Sequence, residues 1–170
     1  MVEDPCPDDD RLIFNKKMIS GVSSDVSESL GSLIMRYDKG PERPNIFLKI
    51  DIENYEWPVF ETTNPRFLSR IAQITGEFHA FEWMFYPEWR RQTQIALENI
   101  TDHFALVHVH ANNYAASTNI ANVIVPNVSE FTFVNRSMYN LEYSDEVFPT
   151  PLDAPCDPLV PDTFLGCFRF

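Results

Sequence analysis

The stretch FLKIDIENYEW, residues 47–57, opens as a strand and closes as a loop. Leu48, Ile50 and Ile52 alternate with Lys49, Asp51 and Glu53, and Asn54 to Pro58 then break the run. Together with Asn45 and Ile46 before it, the segment reads as an apolar strand of the kind buried inside parallel sheets. An ionised carboxylate held away from water costs several kcal/mol unless it is paired. Asp51 and Glu53 at the end of such a strand therefore need partners or a solvated cleft.

Outward from this strand, the chain reads as alternating helices and strands. SSDVSESLGSLIMRYDKG (residues 23–40) predicts a helix capped by Ser24 or Asp25, with Leu30, Leu33, Ile34 and Tyr37 on one face and Gly40 and Pro41 stopping it. Leu12–Phe14 reads as a short strand ahead of it, and helical turns are expected near Trp57–Glu61 and Pro65–Arg70. RIAQITGEFHAF (70–81) reads as a strand. YPEWRRQTQIALENITDHF (86–104) reads as a helix with Pro87 in its first turn and Trp89, Thr93, Ala96 and Ile100 on one face. ALVHVHANN (105–113) and VSEFTFVNR (128–136) read as strands. This order predicts an α/β layered domain with a mostly parallel sheet over residues 11–142, between an acidic tail at 1–10 and a Pro-rich irregular cover at 143–170.

Composition bounds the function classes. The 170 residues are enough for one domain with a core, and 44% hydrophobic with 14 Phe is not a disordered composition. A net charge of −12 repels nucleic-acid phosphates, so no nucleic-acid partner is expected. No apolar run is long enough to span a bilayer, and the acidic start lacks the basic and apolar regions of a signal peptide. Asn99, Asn127 and Asn135 lie in Asn-x-Ser/Thr triplets, which arise often by chance; the compartment stays open. Cys6, Cys156 and Cys167 form no CxxC pair; Cys156 and Cys167 flank a Pro-rich stretch and are in a position to pair under oxidising conditions.

Three strands carry polar residues at or near their ends. Asp51 and Glu53 end the first, Glu77 and His79 the second, and His108, His110, Asn112 and Asn113 the third. Residues two apart in a strand share a face, so parallel strands would bring these groups to one cleft. Each has a plainer reading alone. Asp51 is a typical helix cap or ion-pair partner, His79 a typical hydrogen-bonded core residue, and HxH either a metal pair or a structural one. Glu56 and Glu82 read as solvent-facing, and His103 takes no role.

FLKIDIENYEW resembles the LKIDIEGxEW segment of S-adenosylmethionine-dependent methyltransferases of the FkbM type and of the related methyltransferase-like proteins. GEFHAF resembles that family's ExH strand, FALVHVHANNY its HxHGNN strand, and IVPNVSEFTFVNRSMY its last strand, so the likeness runs from about Leu12 to about Tyr139. The resemblance implies a Rossmann-like sheet of seven strands in the order 3-2-1-4-5-7-6, the seventh antiparallel. On it Leu12–Phe14 would be strand three, Ile46–Asp51 strand four, Ile71–Phe81 strand five, Ala105–His110 strand six and Glu130–Val134 strand seven. The family's glycines are Asn54 and Ala111 here, and none of the five Gly forms the GxG of a cofactor loop. The likeness is therefore expected to cover the carboxyl-terminal half only, a truncated fold with strands 3–7 present and strands 1–2 missing, leaving strand four with an exposed edge. A truncated gene model, a splice form and a degenerate copy all produce such a chain.

What the resemblance implies for function is methyl transfer from S-adenosylmethionine to an O or N nucleophile in the complete form, the acceptor unspecified. Asp51 would border the cofactor, and Glu53, His79, His110 and Asn112 would orient the acceptor or take its proton. Cofactor binding by the chain alone is expected to be weak or absent. Two other readings stay open. Asp51, His79, His108 and His110 offer ligands of a metal-dependent site, although no metal is expected. Alternatively the chain is a non-catalytic interaction module that self-associates through its strand edge and the aromatics Trp57, Trp83, Phe85, Tyr86 and Trp89, unless these are core residues.

Overall fold

The computed structural model describes residues 3–41 and 43–167; the first two residues of the acidic tail and the last three of the Pro-rich segment lie outside them. Its main sheet has four strands: β3 (Ile46–Ile50), β4 (Ile71–Phe78), β8 (Ser129–Asn135) and β5 (Phe104–Ala111), in that spatial order. β3 and β4 are parallel, and β8 is antiparallel to both β4 and β5. Hence β3, β4 and β5 all run the same way and end at one edge.

The expectation that strands 1–2 of the domain are missing is corrected here. Two short strands precede the first helix, β1 (Met18–Ile19) and β2 (Ser27–Glu28), paired parallel to each other. Two-residue strands carry no period-two signal, so nothing in the sequence marked them. Leu12–Phe14 forms no strand, and its three side chains are exposed. The main sheet has four strands rather than seven, and β3 is at its end. β3 is also not buried on both faces, and Phe47 is 62% exposed.

Helices cover one face of the sheet. α2 (Glu56–Thr62) packs against α4 (Pro87–His103), with the short α3 (Pro65–Leu68) beside them. Thr93, Ala96 and Ile100 are the buried stripe of α4, Trp89 is half-buried, and Pro87 sits in the first turn. Trp57 and Phe60 from α2 meet Phe78 of β4 at ring separations of 5.0 and 5.9 Å. All three rings are fully buried, each contributing about 1.5–3 kcal/mol by burial. α1 (Leu30–Tyr37) starts later than the spacing predicts, because Ser29 rather than Ser24 or Asp25 accepts the N–H of Ser32. Leu30 and Ile34 reach the core, while Tyr37 stays exposed.

A hairpin that residue spacing does not announce follows β5: β6 (Ser117–Ile120) with β7 (Val123–Pro126). Its turn residues Ala121 and Asn122 have φ of 50° and 70°, a geometry more often announced by Asn-Gly. The Pro-rich segment is not a loose tail within the described residues. β9 (Val147–Phe148) pairs antiparallel with β10 (Gly166–Cys167), drawing the intervening chain back on itself. Cys6 and Cys156 are free thiols. Trp57 is core, whereas Trp83, Phe85 and Tyr86 are exposed. No helix among the described residues is long and apolar enough to cross a membrane.

Candidate active site at the carboxyl edge of the sheet

Where β3 ends, the chain turns sharply. Glu53 and Asn54 both occupy the left-handed region, with φ of 54° and 78°. Asn accepts this conformation better than most residues, and it stands here where the related motif has Gly. Glu53 pays for it with about 1–3 kcal/mol of strain. The turn folds α2 back beneath the strand end. As a result Glu56, in the first turn of α2, is 0% exposed, and its Oε1 accepts the Ile52 N–H at 2.8 Å. The solvent-facing reading of Glu56 is therefore wrong, whereas Glu82 is half-buried, its Oε2 shielded and without a hydrogen-bond partner among the described residues. Side-chain periodicity carries no information about a chain reversal built from two positive φ values.

His79 follows β4 and is buried. Its Nδ1 lies 3.2 Å from Glu56 Oε1. Its Nε2 lies 3.5 Å from Glu53 Oε2 and 3.6 Å from Glu77 Oε2. The indole N–H of Trp57 donates to the His79 carbonyl at 2.7 Å, which pins the backbone at this point. Ala80 then leaves the strand with φ of 62°.

The third strand end adds Asn112. Its Nδ2 donates to Glu77 Oε1 at 2.5 Å, and its Oδ1 accepts the Tyr114 N–H at 2.9 Å. Ala111 needs no positive φ: it is an ordinary buried residue of β5 opposite Ser129. Asp51 is exposed, with Lys49 Nζ at 3.9 Å, yet one of its oxygens lies within 4.8 Å of ligand atoms of both Glu56 and His79. Asp51, Glu53, Glu56, Glu77, His79 and Asn112 thus gather at one place.

His110 is on the same edge but in a separate network. In the sheet register it faces Glu130, which faces Glu77 on the other side. Its Nδ1 lies 3.0 Å from Glu130 Oε2, and its Nε2 lies 2.9 Å from Asp162 Oδ2. Burial pulls this imidazole down, but the hydrogen bonds and charges of Asp162 and Glu130 outweigh it and raise its pKa. His108 bonds Asp153 at 2.9 Å. Asn113 Oδ1 accepts the Asp157 N–H at 2.7 Å, and its Nδ2 donates to the Asp157 carbonyl at 3.0 Å. Hence the set Asp51, His79, His108 and His110 is not assembled around one point. His79 groups with Asp51 and Glu56, and His110 with Glu130 and Cys156. The partners Asp153 and Asp162 were out of reach of the sequence reading, because they lie in an aperiodic segment 45 and 52 residues from their histidines.

A family model described as "Methyltransferase FkbM domain" matches residues 27–132. The match starts at β2 and ends inside β8, most of the chain. The expectation that the likeness is confined to the carboxyl-terminal half is corrected by it. No curated protein and no solved structure matches the chain.

Proposed function

Since the chain belongs to the FkbM methyltransferase domain family, we propose that it acts as an S-adenosylmethionine-dependent methyltransferase whose methyl acceptor, an O or N nucleophile, sits at the shared end of β3, β4 and β5. The observation that carries this reading is the convergence of Glu53 and Glu77 on His79 Nε2, with Asn112 bonded to Glu77.

S-adenosylmethionine, when bound, supplies an electrophilic methyl carbon open to in-line displacement. The residues present fit its cationic sulfonium end, because Asp51, Glu53 and Glu77 make the edge acidic. They offer less to the adenosine end, since the five glycines form no GxG loop. Asp51 borders the cofactor. Glu53, the most accessible carboxylate of the group, takes the proton that the acceptor loses. His79 orients the acceptor and Glu53 from a ring fixed on its other side by Glu56. Asn112 holds Glu77 in place, and His110 backs the surface through Glu130.

Calorimetry with S-adenosylmethionine and S-adenosylhomocysteine tests this. The expected result is saturable binding with Kd of about 0.1 mM or weaker, and weaker still in Asp51→Asn. No heat at millimolar ligand, or binding indifferent to Asp51→Asn, overturns the reading. A second reading, self-association through β3, is favoured by its position at the end of the sheet with Phe47 exposed.

A further inference from the structure

The strand-end cluster is unusual in its charge balance. Among the described residues, the ion pairs of Glu53, Glu56 and Glu77 all end on the single imidazole of His79, and that of Asp51 ends on Lys49 at 3.9 Å, an exposed and loose contact. Four carboxylates thus share one imidazole and one surface ammonium. Such an arrangement leaves net negative charge in a partly dehydrated place, where it costs most.

A second, independent feature lies inside the cluster. Glu56 is fully buried, and while its Oε1 is satisfied by Ile52 N–H and His79, its Oε2 has no hydrogen-bond partner among the described residues. A buried, unpartnered carboxylate oxygen is a strong vacant acceptor. One ligand atom each from Asp51, Glu56 and His79 lies within 4.8 Å of the others, a separation that a single ion can bridge with small side-chain movements.

We propose that Asp51, Glu56 and His79 bind one divalent first-row cation, of the manganese or zinc class. Two carboxylates and an imidazole are a donor set suited to these ions. The ion takes His79 at Nδ1, the nitrogen turned toward Glu56. The Nε2–H then points at Glu53 and Glu77, at 3.5 and 3.6 Å, the pattern in which a carboxylate supports a metal-bound imidazole. The left-handed turn at Glu53 and Asn54 is what places the Asp51 and Glu56 carboxyls on the same side. Binding of the ion is true or false whether or not the chain transfers a methyl group.

The test is a titration of the whole, metal-stripped chain with Mn2+, followed by loss of the free-ion electron paramagnetic resonance signal, and repeated with Zn2+ in competition. The expected result is one bound ion per chain, with affinity reduced about tenfold or more in Asp51→Asn and in Glu56→Gln, and unchanged in Glu130→Gln. Asp51 is exposed, so its variant carries the test even if the buried Glu56→Gln chain does not fold. Absence of saturable binding of either ion overturns the proposal. So does binding indifferent to Asp51→Asn, and so does binding lost in Glu130→Gln, which would move the ion to the His110 cluster.

Discussion

Glu56 Oε1 and His79 Nδ1 lie 3.2 Å apart across 23 residues, joining the first turn of α2 to the end of β4. The same oxygen accepts the Ile52 N–H, so one buried carboxylate ties together a turn, a helix and a strand end. Glu56→Ala removes the partner of a half-buried N–H and of a buried ring. We expect a loss of about 2–4 kcal/mol in urea unfolding, and a smaller loss in Glu56→Gln, which keeps an acceptor oxygen.

Asn54 holds φ of 78° in the turn that carries Glu53. Asn54→Ala is expected to cost about 1 kcal/mol in unfolding free energy, and Asn54→Gly to be neutral or slightly stabilising. Equal losses in both variants would show that the Asn side chain, and not the backbone, matters.

The network of His110 with Glu130 and Asp162 makes stability depend on pH. Its pKa is raised in the folded chain, so its contribution is fully present below the unfolded value of about 6.5 and is lost as pH rises through the folded value. Wild-type melting temperature should fall over that rise, and His110→Asn should remove the fall. Asp153 works in the opposite sense. Burial pushes its carboxyl up, but hydrogen bonding from Thr150 and the His108 pair outweigh this and hold it below its usual range. Its contribution is present above about pH 3.9 and lost as pH falls through the folded value, so Asp153→Asn should flatten the acid limb.

β3 ends the sheet with Phe47 exposed. If copies pair there, sedimentation velocity will show a concentration-dependent shift in wild type that Phe47→Lys abolishes. A constant monomer coefficient in both rules out pairing at this edge.

Much of the fold was legible because its signals are local and periodic. The buried stripe Thr93, Ala96, Ile100 and the alternation along β4 follow directly from residue spacing. The common direction of β3, β4 and β5, which gathers Asp51, Glu53, His79 and Asn112 near one edge, follows from strand–helix alternation. Glu56 reads as solvent-facing in the sequence because its burial depends on two left-handed residues that any helical wheel ignores. Asp153 and Asp162 escaped because they are fixed by tertiary docking of a Pro-rich segment. Two-residue strands such as β1 and β2 have no pattern to detect.

The sheet order sets a schedule for synthesis. β8 stands between β4 and β5, so neither has its inner neighbour until residue 135 has left the ribosome. Until then two hydrogen-bonding flanks stand bare in the nascent polypeptide. Chains arrested with residues 111 to 129 as the last outside the ribosome should recruit chaperones and clump, whereas emergence of the chain through residue 135 should end that hazard by zipping the gap shut.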